Sequence, residues 1–167
     1  MKTKFYIFLD IDGVLALDQQ IYWSNPKKWN PTLNQYGFDP KAVRVLNNIC
    51  ETTNAVITLS SDWKDHYSLE QMNEHFEFNG ITHKITDYTK TLWGKDFFRL
   101  DQLEECRAAE INQFVSQYDI QRWVAVDDLD LSQWIPNNFV HTPRSNEGIK
   151  QSGVKDKIIN IYKSNQK

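Results

Sequence analysis

An unbroken apolar run that ends in two acids lies near the start of the chain: Phe5-Tyr6-Ile7-Phe8-Leu9 is followed directly by Asp10-Ile11-Asp12-Gly13-Val14-Leu15. A continuous apolar run is typical of a strand that is buried on both faces of a parallel sheet. Gly13 lets the backbone turn sharply after that strand. The stretch therefore predicts a buried strand with two carboxylates gathered at its carboxyl end.

The rest of the chain alternates between apolar runs of strand length and longer segments with helical period. Further strands are predicted at residues 55–59, 82–86, 123–126 and 139–141. Residue pairs with capping spacing indicate three helix starts: Asp39-Pro40, Ser68 with Gln71, and Asp101 with Glu104. Val154, Ile158 and Ile161 form a last apolar stripe. Strands that alternate with helices predict an α/β fold with a central parallel sheet.

Length and composition set the class of protein. With 167 residues the chain has room for one domain, which we expect to span residues 1–167. Apolar residues make up 40% and charged residues 25%, which excludes a disordered chain, a collagen-like repeat and a membrane span. The net charge of -3 argues against binding to extended duplex nucleic acid. The first apolar run is too short for a secretory signal, so we expect a cytoplasmic protein.

Polar residues follow three of the predicted strands at their carboxyl ends. Asp10 and Asp12 follow the first, Ser60-Ser61 the second and Asp127-Asp128 a later one. These ends meet at one edge of a parallel sheet, so we expect the side chains to converge. Converging carboxylates repel one another unless a cation joins them, and oxygen ligands of this kind suit Mg²⁺.

Such a group of residues is equipped for phosphoryl transfer. An ionised aspartate can attack phosphorus and form an aspartyl phosphate. A second carboxylic acid can protonate the leaving oxygen and then activate water. A serine hydroxyl and a fixed cation would hold the phosphoryl oxygens.

In the order and spacing of these groups the chain resembles the haloacid dehalogenase-like (HAD) phosphohydrolase superfamily. The resemblance implies a three-layer Rossmann-like fold with a minimal cap or none. It also implies that Asp10 is the nucleophile and Asp12 the general acid/base. Ser60 resembles the second motif. Asp127 and Asp128 resemble the metal-binding acids of the fourth.

The resemblance further implies which groups bind the metal. We expect Mg²⁺ to be held by Asp10, by the backbone carbonyl of Asp12 and by Asp127. Asp128 is expected to act through water or to orient its neighbours.

A closer resemblance is to the small HAD domains of RNA-repair proteins. Ser60-Ser61-Asp62-Trp63 is similar to their Ser-Ser-x-Trp signature, and Arg107-Ala108-Ala109-Glu110-Ile111 to their Arg-x-x-Glu-Ile signature. Lys64 stands where those domains usually have arginine. For the cation of the third motif Arg107 is the first candidate, with Lys90 and Lys95 as alternatives.

Residues 18–38 form an insertion that has no acid between residues 19 and 38 and carries Tyr22, Trp23 and Trp29. We expect a flap that is packed by its own side chains and has no regular element. Trp23 in this flap is a candidate substrate contact, together with Gly13, Ser61 and Lys64. For Ser61, capping of the segment that follows is the favoured role. The tryptophans at 63, 93, 123 and 134 are expected to serve packing.

The motifs occupy nearly the whole chain, so we expect an open site that acts on a phosphorylated substrate. Several functions stay open: a phosphatase of small molecules, a phosphatase of nucleic-acid ends, a phosphotransferase, and a non-catalytic HAD-fold binding or regulatory protein. The oligomeric state also stays open.

Overall fold

Five parallel strands form the central sheet of the structure, a computed structural model that describes residues 3–17 and 28–164. The strands of this sheet are β1 (Tyr6–Leu9), β4 (Val56–Leu59), β5 (Ile85–Tyr88), β6 (Trp123–Asp127) and β7 (Phe139–His141). Their order is β5-β4-β1-β6-β7. All the strand predictions are confirmed within a few residues.

The register brings the three polar strand ends side by side. Leu9 pairs with Leu59 of β4 and with Val126 of β6. The backbone N–H of Asp10 donates to the Val126 carbonyl at 3.0 Å, and that of Ser60 donates to the Leu9 carbonyl at 2.9 Å. The predicted convergence at one sheet edge is therefore confirmed for the backbone.

Four helices cover the two faces of the sheet: α1 (Pro40–Thr53), α2 (Leu69–Phe78), α3 (Leu103–Gln117) and α4 (Val154–Ser164). Ile7 and Leu9 of β1 share a buried cluster with residues of α1, α2 and α4. Phe8 points to the other face and shares a cluster with Ile111 and Phe114 of α3. Alternate residues of β1 thus pack against helices on opposite faces of the sheet, which makes the fold a three-layer α/β architecture. In the described part of the chain, no helix combines the length and the apolar character that crossing a membrane requires.

Two of the three predicted helix starts are confirmed. Oδ1 of Asp39 accepts from the N–H groups of Lys41 and Ala42, and Pro40 is the first residue of α1. Ser68 and Gln71 form a capping box at α2.

The third predicted helix start is wrong. Asp101 lies inside a 3₁₀ turn, Leu100–Gln102, and α3 begins after that turn. The Asp101 carboxylate is paired with Arg99 instead, so it cannot cap the helix.

The described part of the predicted flap is a regular hairpin, which corrects the expectation of an irregular insertion. Strands β2 (Trp29–Asn30) and β3 (Gln35–Tyr36) pair antiparallel, and the turn between them ends at Asn34 with φ 55°. Asparagine tolerates this left-handed conformation, which a tight hairpin turn requires. The rings of Trp29 and Tyr36 pack edge to face at 4.9 Å. Tyr22 and Trp23 lie outside the described residues.

Candidate active site

The loop after β1 is a tight turn that leaves no room for a side chain at Gly13. The carbonyl of Ile11 accepts from the N–H groups of Leu15 and Ala16. Gly13 has φ +69°, and a Cβ on it would lie 2.6 Å from Oδ2 of Asp128. Glycine is therefore required twice over at this position, once for the backbone conformation and once for the approach of Asp128.

Three carboxylates meet at the sheet edge. Asp10, Asp127 and Asp128 each offer a ligand atom, and these atoms lie within 4.8 Å of one another. Burial, and then the charge of Asp10, raise the pKa of Asp127 well above its ordinary value. The same two causes raise the pKa of Asp128 to about 6. Like charges held this close favour a bound cation, and a set of carboxylate oxygens fits Mg²⁺.

Arg107 of α3 supplies a positive charge at the edge of the sheet where the three acids meet. One terminal nitrogen donates to the Ser60 carbonyl at 2.7 Å and to Oδ2 of Asp127 at 2.9 Å, and lies 3.3 Å from Oδ1 of Asp10. The other terminal nitrogen donates to Asp62 at 2.8 Å. Burial alone would lower the pKa of Arg107, but the surrounding carboxylates, Asp127 first, raise it. The guanidinium therefore stays charged beside the predicted nucleophile.

The alternative cations of the third motif lie elsewhere. Lys90 and Lys95 are both exposed, on the segment that follows β5. Neither belongs to the described residues that line the cleft at Asp10.

Asp12 lies apart from the cluster of three acids and has its own partner. The indole Nε1–H of Trp63 donates to Oδ2 of Asp12 at 2.9 Å. Partial burial of the carboxyl raises the pKa of Asp12, and the negative charge of Asp10 adds to this, although the hydrogen bond from Trp63 lowers it. A carboxyl with a raised pKa is a better proton donor near neutral pH than an ordinary aspartate.

The two serines after β4 differ in position. Both hydroxyls are buried, and neither has a hydrogen-bond partner among the described residues. Ser61 lines the cleft, whereas Ser60 contributes its carbonyl to Arg107. Ser61 occupies the N-cap position of the 3₁₀ turn Asp62–Asp65, but its side chain makes no capping hydrogen bond. Because an unpartnered buried hydroxyl costs free energy, the hydroxyl of Ser61 at the cleft is a candidate donor to the oxygens of a ligand.

Two clefts, each of about 380 Å³, lie on either side of Asp12. The first is bordered by Asp10, Ser61, Asp62, Arg107 and Trp93. The second lies between the turn at Gly13 and the β2–β3 hairpin, where Gln35 and Tyr36 line it. Asp12 and Asp128 border both, so these two side chains are accessible from either side.

Residues 6–154 match the model of a protein family described as the HAD domain in Swiss Army Knife RNA repair proteins. The chain belongs to this family. HAD domains are generally hydrolases of the phosphatase type. Parallel comparisons with curated proteins and with solved structures gave no match.

One contact of this HAD domain explains the position of Lys64. Its ammonium lies 2.6 Å from Oε2 of Glu110, and both side chains are almost fully buried. Oε1 of Glu110 accepts from the backbone N–H of Leu92 at 2.8 Å. The charge of Lys64 is therefore compensated within the cleft wall, although Lys64 borders the cleft as a candidate substrate contact would.

Residues near the C-terminus of the HAD domain support its first motif. Oγ1 of Thr142 donates to the Gly13 carbonyl at 3.1 Å, and the N–H of Ile149 donates to the Val14 carbonyl at 3.0 Å. Gly148 has φ +52°, and a Cβ on it would lie 2.4 Å from that same Val14 carbonyl. The conformation of the turn that carries Asp10 and Asp12 thus depends on residues far along the chain.

Three functional contacts were missed by sequence reasoning: Asp62 to Arg107, Trp63 to Asp12, and Glu110 to Lys64. Trp63 is buried, as a packing residue should be, but it also carries a donor to the predicted acid. For Glu110 a signal existed, because a spacing of three from Arg107 places both side chains on one side of α3.

Proposed function

We propose that this HAD domain is a Mg²⁺-dependent phosphomonoester hydrolase that works through an aspartyl phosphate on Asp10. One observation carries the proposal: the charged guanidinium of Arg107 lies 3.3 Å from Asp10, next to a cluster of three acids of which Asp10 and Asp128 border a cleft. A nucleophile, a fixed cation and a metal-binding acid cluster at one point suit phosphoryl transfer. The proposal treats residues 1–167 as one catalytic domain.

In the first step a carboxylate oxygen of Asp10 attacks phosphorus, and the bond from phosphorus to the leaving oxygen breaks. Asp12 gives its proton to that oxygen. In the second step Asp12 takes a proton from water as the water attacks phosphorus. The bond from Asp10 to phosphorus then breaks, which releases inorganic phosphate and restores both aspartates. Arg107 and the hydroxyl of Ser61 or Ser60 stabilise the phosphoryl oxygens in both steps.

Mg²⁺ would be held by Asp10, Asp127 and Asp128, with the Asp12 carbonyl as a further ligand. When bound, it offsets the negative charge of the phosphoryl oxygens. Among the acids, Asp127 already receives hydrogen bonds at both oxygens, from Arg107 and from the N–H of Leu129. Among residues 3–17 and 28–164, no such pair of donors binds Asp128, which is partly exposed. The geometry therefore favours Asp128 as a direct ligand, whereas the sequence had favoured Asp127.

The nucleophile is tested by Asp10→Asn, with p-nitrophenyl phosphate and Mg²⁺ as the assay. We expect phosphate release to fall at least about a thousandfold, because an amide cannot replace the attacking carboxylate. Asp130→Asn, which removes an exposed acid outside both clefts, is the matched control. Unchanged release by the Asp10 variant would disprove the assignment.

A phosphatase of nucleic-acid ends is the second candidate, because the family is described from RNA repair proteins. The second cleft, which the β2–β3 hairpin borders, leaves room for a large phosphate carrier. Oligonucleotides with a 3′- or 5′-phosphate, compared with mononucleotides at equal concentration, distinguish it from a small-molecule phosphatase. Failure to hydrolyse any of these esters, with Mg²⁺ binding retained, would instead indicate a non-catalytic binding protein.

A further inference from the structure

Arg107 has one donor nitrogen directed to the interior and one directed to the cleft. The interior nitrogen donates to the Ser60 carbonyl and to Asp127, and it is also the nitrogen that lies 3.3 Å from Oδ1 of Asp10. The other nitrogen donates to Asp62, which borders the cleft. A phosphoryl group at Asp10 would need this second nitrogen, since the first is already bound twice.

Asp62 is unlike the other acids that surround Arg107. Its side chain is 79% exposed, whereas that of Arg107 is 8% exposed and that of Asp127 is 2% exposed. Among the described residues, Arg107 is the one hydrogen-bonding partner of the Asp62 carboxylate. The ion pair therefore has one fixed, buried partner and one that water can solvate fully.

An ion pair with a solvated partner is weak, because water competes for the exposed carboxylate. A phosphoryl group carries more charge and offers several oxygens to the same guanidinium, so its hydrogen bonds are stronger. The phosphoryl group can therefore take the nitrogen from Asp62. The displaced carboxylate would remain close by and repel the bound anion.

We propose that Asp62 is a displaceable anion that competes with the phosphoryl group for Arg107 and so weakens the binding of phosphate at this site. The inference rests on the proposed function, in which Arg107 binds the phosphoryl oxygens. It assigns to Asp62 a role in substrate affinity and in the release of inorganic phosphate. A residue that only positioned Arg107 would have the opposite effect on affinity.

The test compares Asp62→Asn with the wild-type protein in the presence of Mg²⁺. We expect the variant to bind inorganic phosphate about three- to tenfold more tightly, the range of a weak exposed ion pair. Isothermal titration calorimetry measures this without turnover, and product inhibition of p-nitrophenyl phosphate hydrolysis measures it a second time. The KM should fall in the same direction. Thermal melting checks that the variant is folded.

The matched control is Asp65→Asn, which removes a negative charge from the same 3₁₀ turn and the same cleft but makes no contact with Arg107. If the affinity for phosphate rises less in the control than in Asp62→Asn, the contact with Arg107 matters. If it rises equally, the effect comes from the loss of a negative charge alone, and the inference is overturned. Equal or weaker phosphate binding by Asp62→Asn, or no phosphate binding by either protein, also overturns it. A wild type that binds phosphate but hydrolyses no ester would refute the proposed hydrolase while leaving the calorimetric comparison decisive.

Discussion

At the scale of single residues, the site is defined by negative charges that are held closer together than they would be in solution. Asp128 is the clearest case, because burial and Asp10 raise its pKa to about 6. A carboxyl whose pKa is raised by folding is favoured in its protonated form. Its contribution to stability is therefore present below about pH 4 and is lost as the pH rises through about 6.

Asp128→Asn should accordingly stabilise the metal-free protein at pH 7.5 by about 1 kcal/mol, a value reduced from the full pKa shift because the side chain is partly exposed. The gain should disappear near pH 4. Mg²⁺ should stabilise the wild type more than the variant, since the variant lacks a ligand. Urea unfolding at both pH values, with EDTA or with Mg²⁺, measures these differences.

Asp130→Asn serves as the control for that experiment. Hydrogen bonds from Ser132 lower the pKa of Asp130, so its removal should not stabilise the protein at pH 7.5. A loss of stability in metal-free Asp128→Asn would contradict the repulsion that we infer at the acid cluster.

A second prediction at this scale concerns Gly13. Gly13→Ala should be less stable and should lose at least about tenfold in activity, because its Cβ would displace Asp128. Gly80 has a similar positive φ of +77°, and a Cβ on it would meet nothing within 4 Å, so Gly80→Ala isolates the cost of the backbone conformation. Equal effects of the two substitutions on activity would show that the close approach to Asp128 does not matter.

Individual residues of the candidate site could be predicted from the sequence where they lie at the carboxyl end of a strand. Asp10, Ser60 and Asp127 could be placed at one edge because parallel strands set their positions. Asp62 and Glu110 were missed because their contacts join segments more than 40 residues apart in the chain. The spacing of Glu110 from Arg107 indicates the side of α3 on which it lies, but no local pattern encodes its contact with Lys64 or that of Asp62 with Arg107.

At the scale of elements, the 3₁₀ turn Asp62–Asp65 makes three contacts with the site. Its successive side chains reach Arg107, Asp12 and Glu110. Each of these partners belongs to another element, the loop after β1 or helix α3. One short turn therefore joins the loop that carries Asp10 and Asp12 to helix α3, which carries Arg107.

The contact of Trp63 with Asp12 gives the prediction that belongs to this turn. Trp63→Phe keeps an aromatic ring but removes the N–H donor that lowers the pKa of Asp12. The pKa of Asp12 should rise, so the basic limb of the kcat profile should move up by about half to one pH unit. Steady-state kinetics between pH 5 and 9, roughly the range in which general acids titrate in such sites, measure the shift.

Trp93→Phe is the matched control, because Trp93 borders the same cleft without donating to Asp12. A pH profile of Trp63→Phe that coincides with that of the wild type would argue against Asp12 as the general acid.

Elements were predicted well where a local rule decides them. Asp39 with Pro40 and Ser68 with Gln71 define their helix starts by short-range hydrogen bonds. At Asp101 the same rule failed because Arg99, two residues earlier, binds the carboxylate. The hairpin was missed because its strands have two residues each and show no alternation to detect.

At the scale of the whole molecule, the β2–β3 hairpin is joined to the main fold through a buried histidine. Nδ1 of His75 in α2 lies 2.8 Å from the side-chain nitrogen of Asn30, and the ring packs edge to face on Phe38. Burial lowers the pKa of His75 to about 4. In the unfolded chain the same group titrates near 6.5.

Between these values His75 binds more protons in the unfolded chain than in the folded protein, so its contribution to stability falls as the pH is lowered from about 6.5 to 4. The loss for His75 should approach about 3 kcal/mol. Urea unfolding across this range should show a shallower dependence on pH in His75→Gln, although that variant is less stable overall. His83→Gln, which removes a partly exposed histidine before β5, is the matched control. If the free energy of unfolding of His75→Gln depends on pH as steeply as that of the wild type, groups other than His75 cause the dependence.

The fold class followed from the alternation of strands and helices, whereas the order of the strands did not. Apolar strands buried on both faces look alike in sequence, so nothing local shows that β1 lies between β4 and β6. That central position, together with the contacts of Thr142 and Ile149, has a consequence for synthesis. The ribosome makes the loop of Asp10 and Gly13 long before it makes Thr142 and Ile149, which hold that loop in shape. A nascent chain that stops before Thr142 is therefore expected to bind no Mg²⁺, which titration of a fragment ending there would check. The acids that follow β1 are therefore expected to gain their binding geometry only after the ribosome has added Thr142 and Ile149.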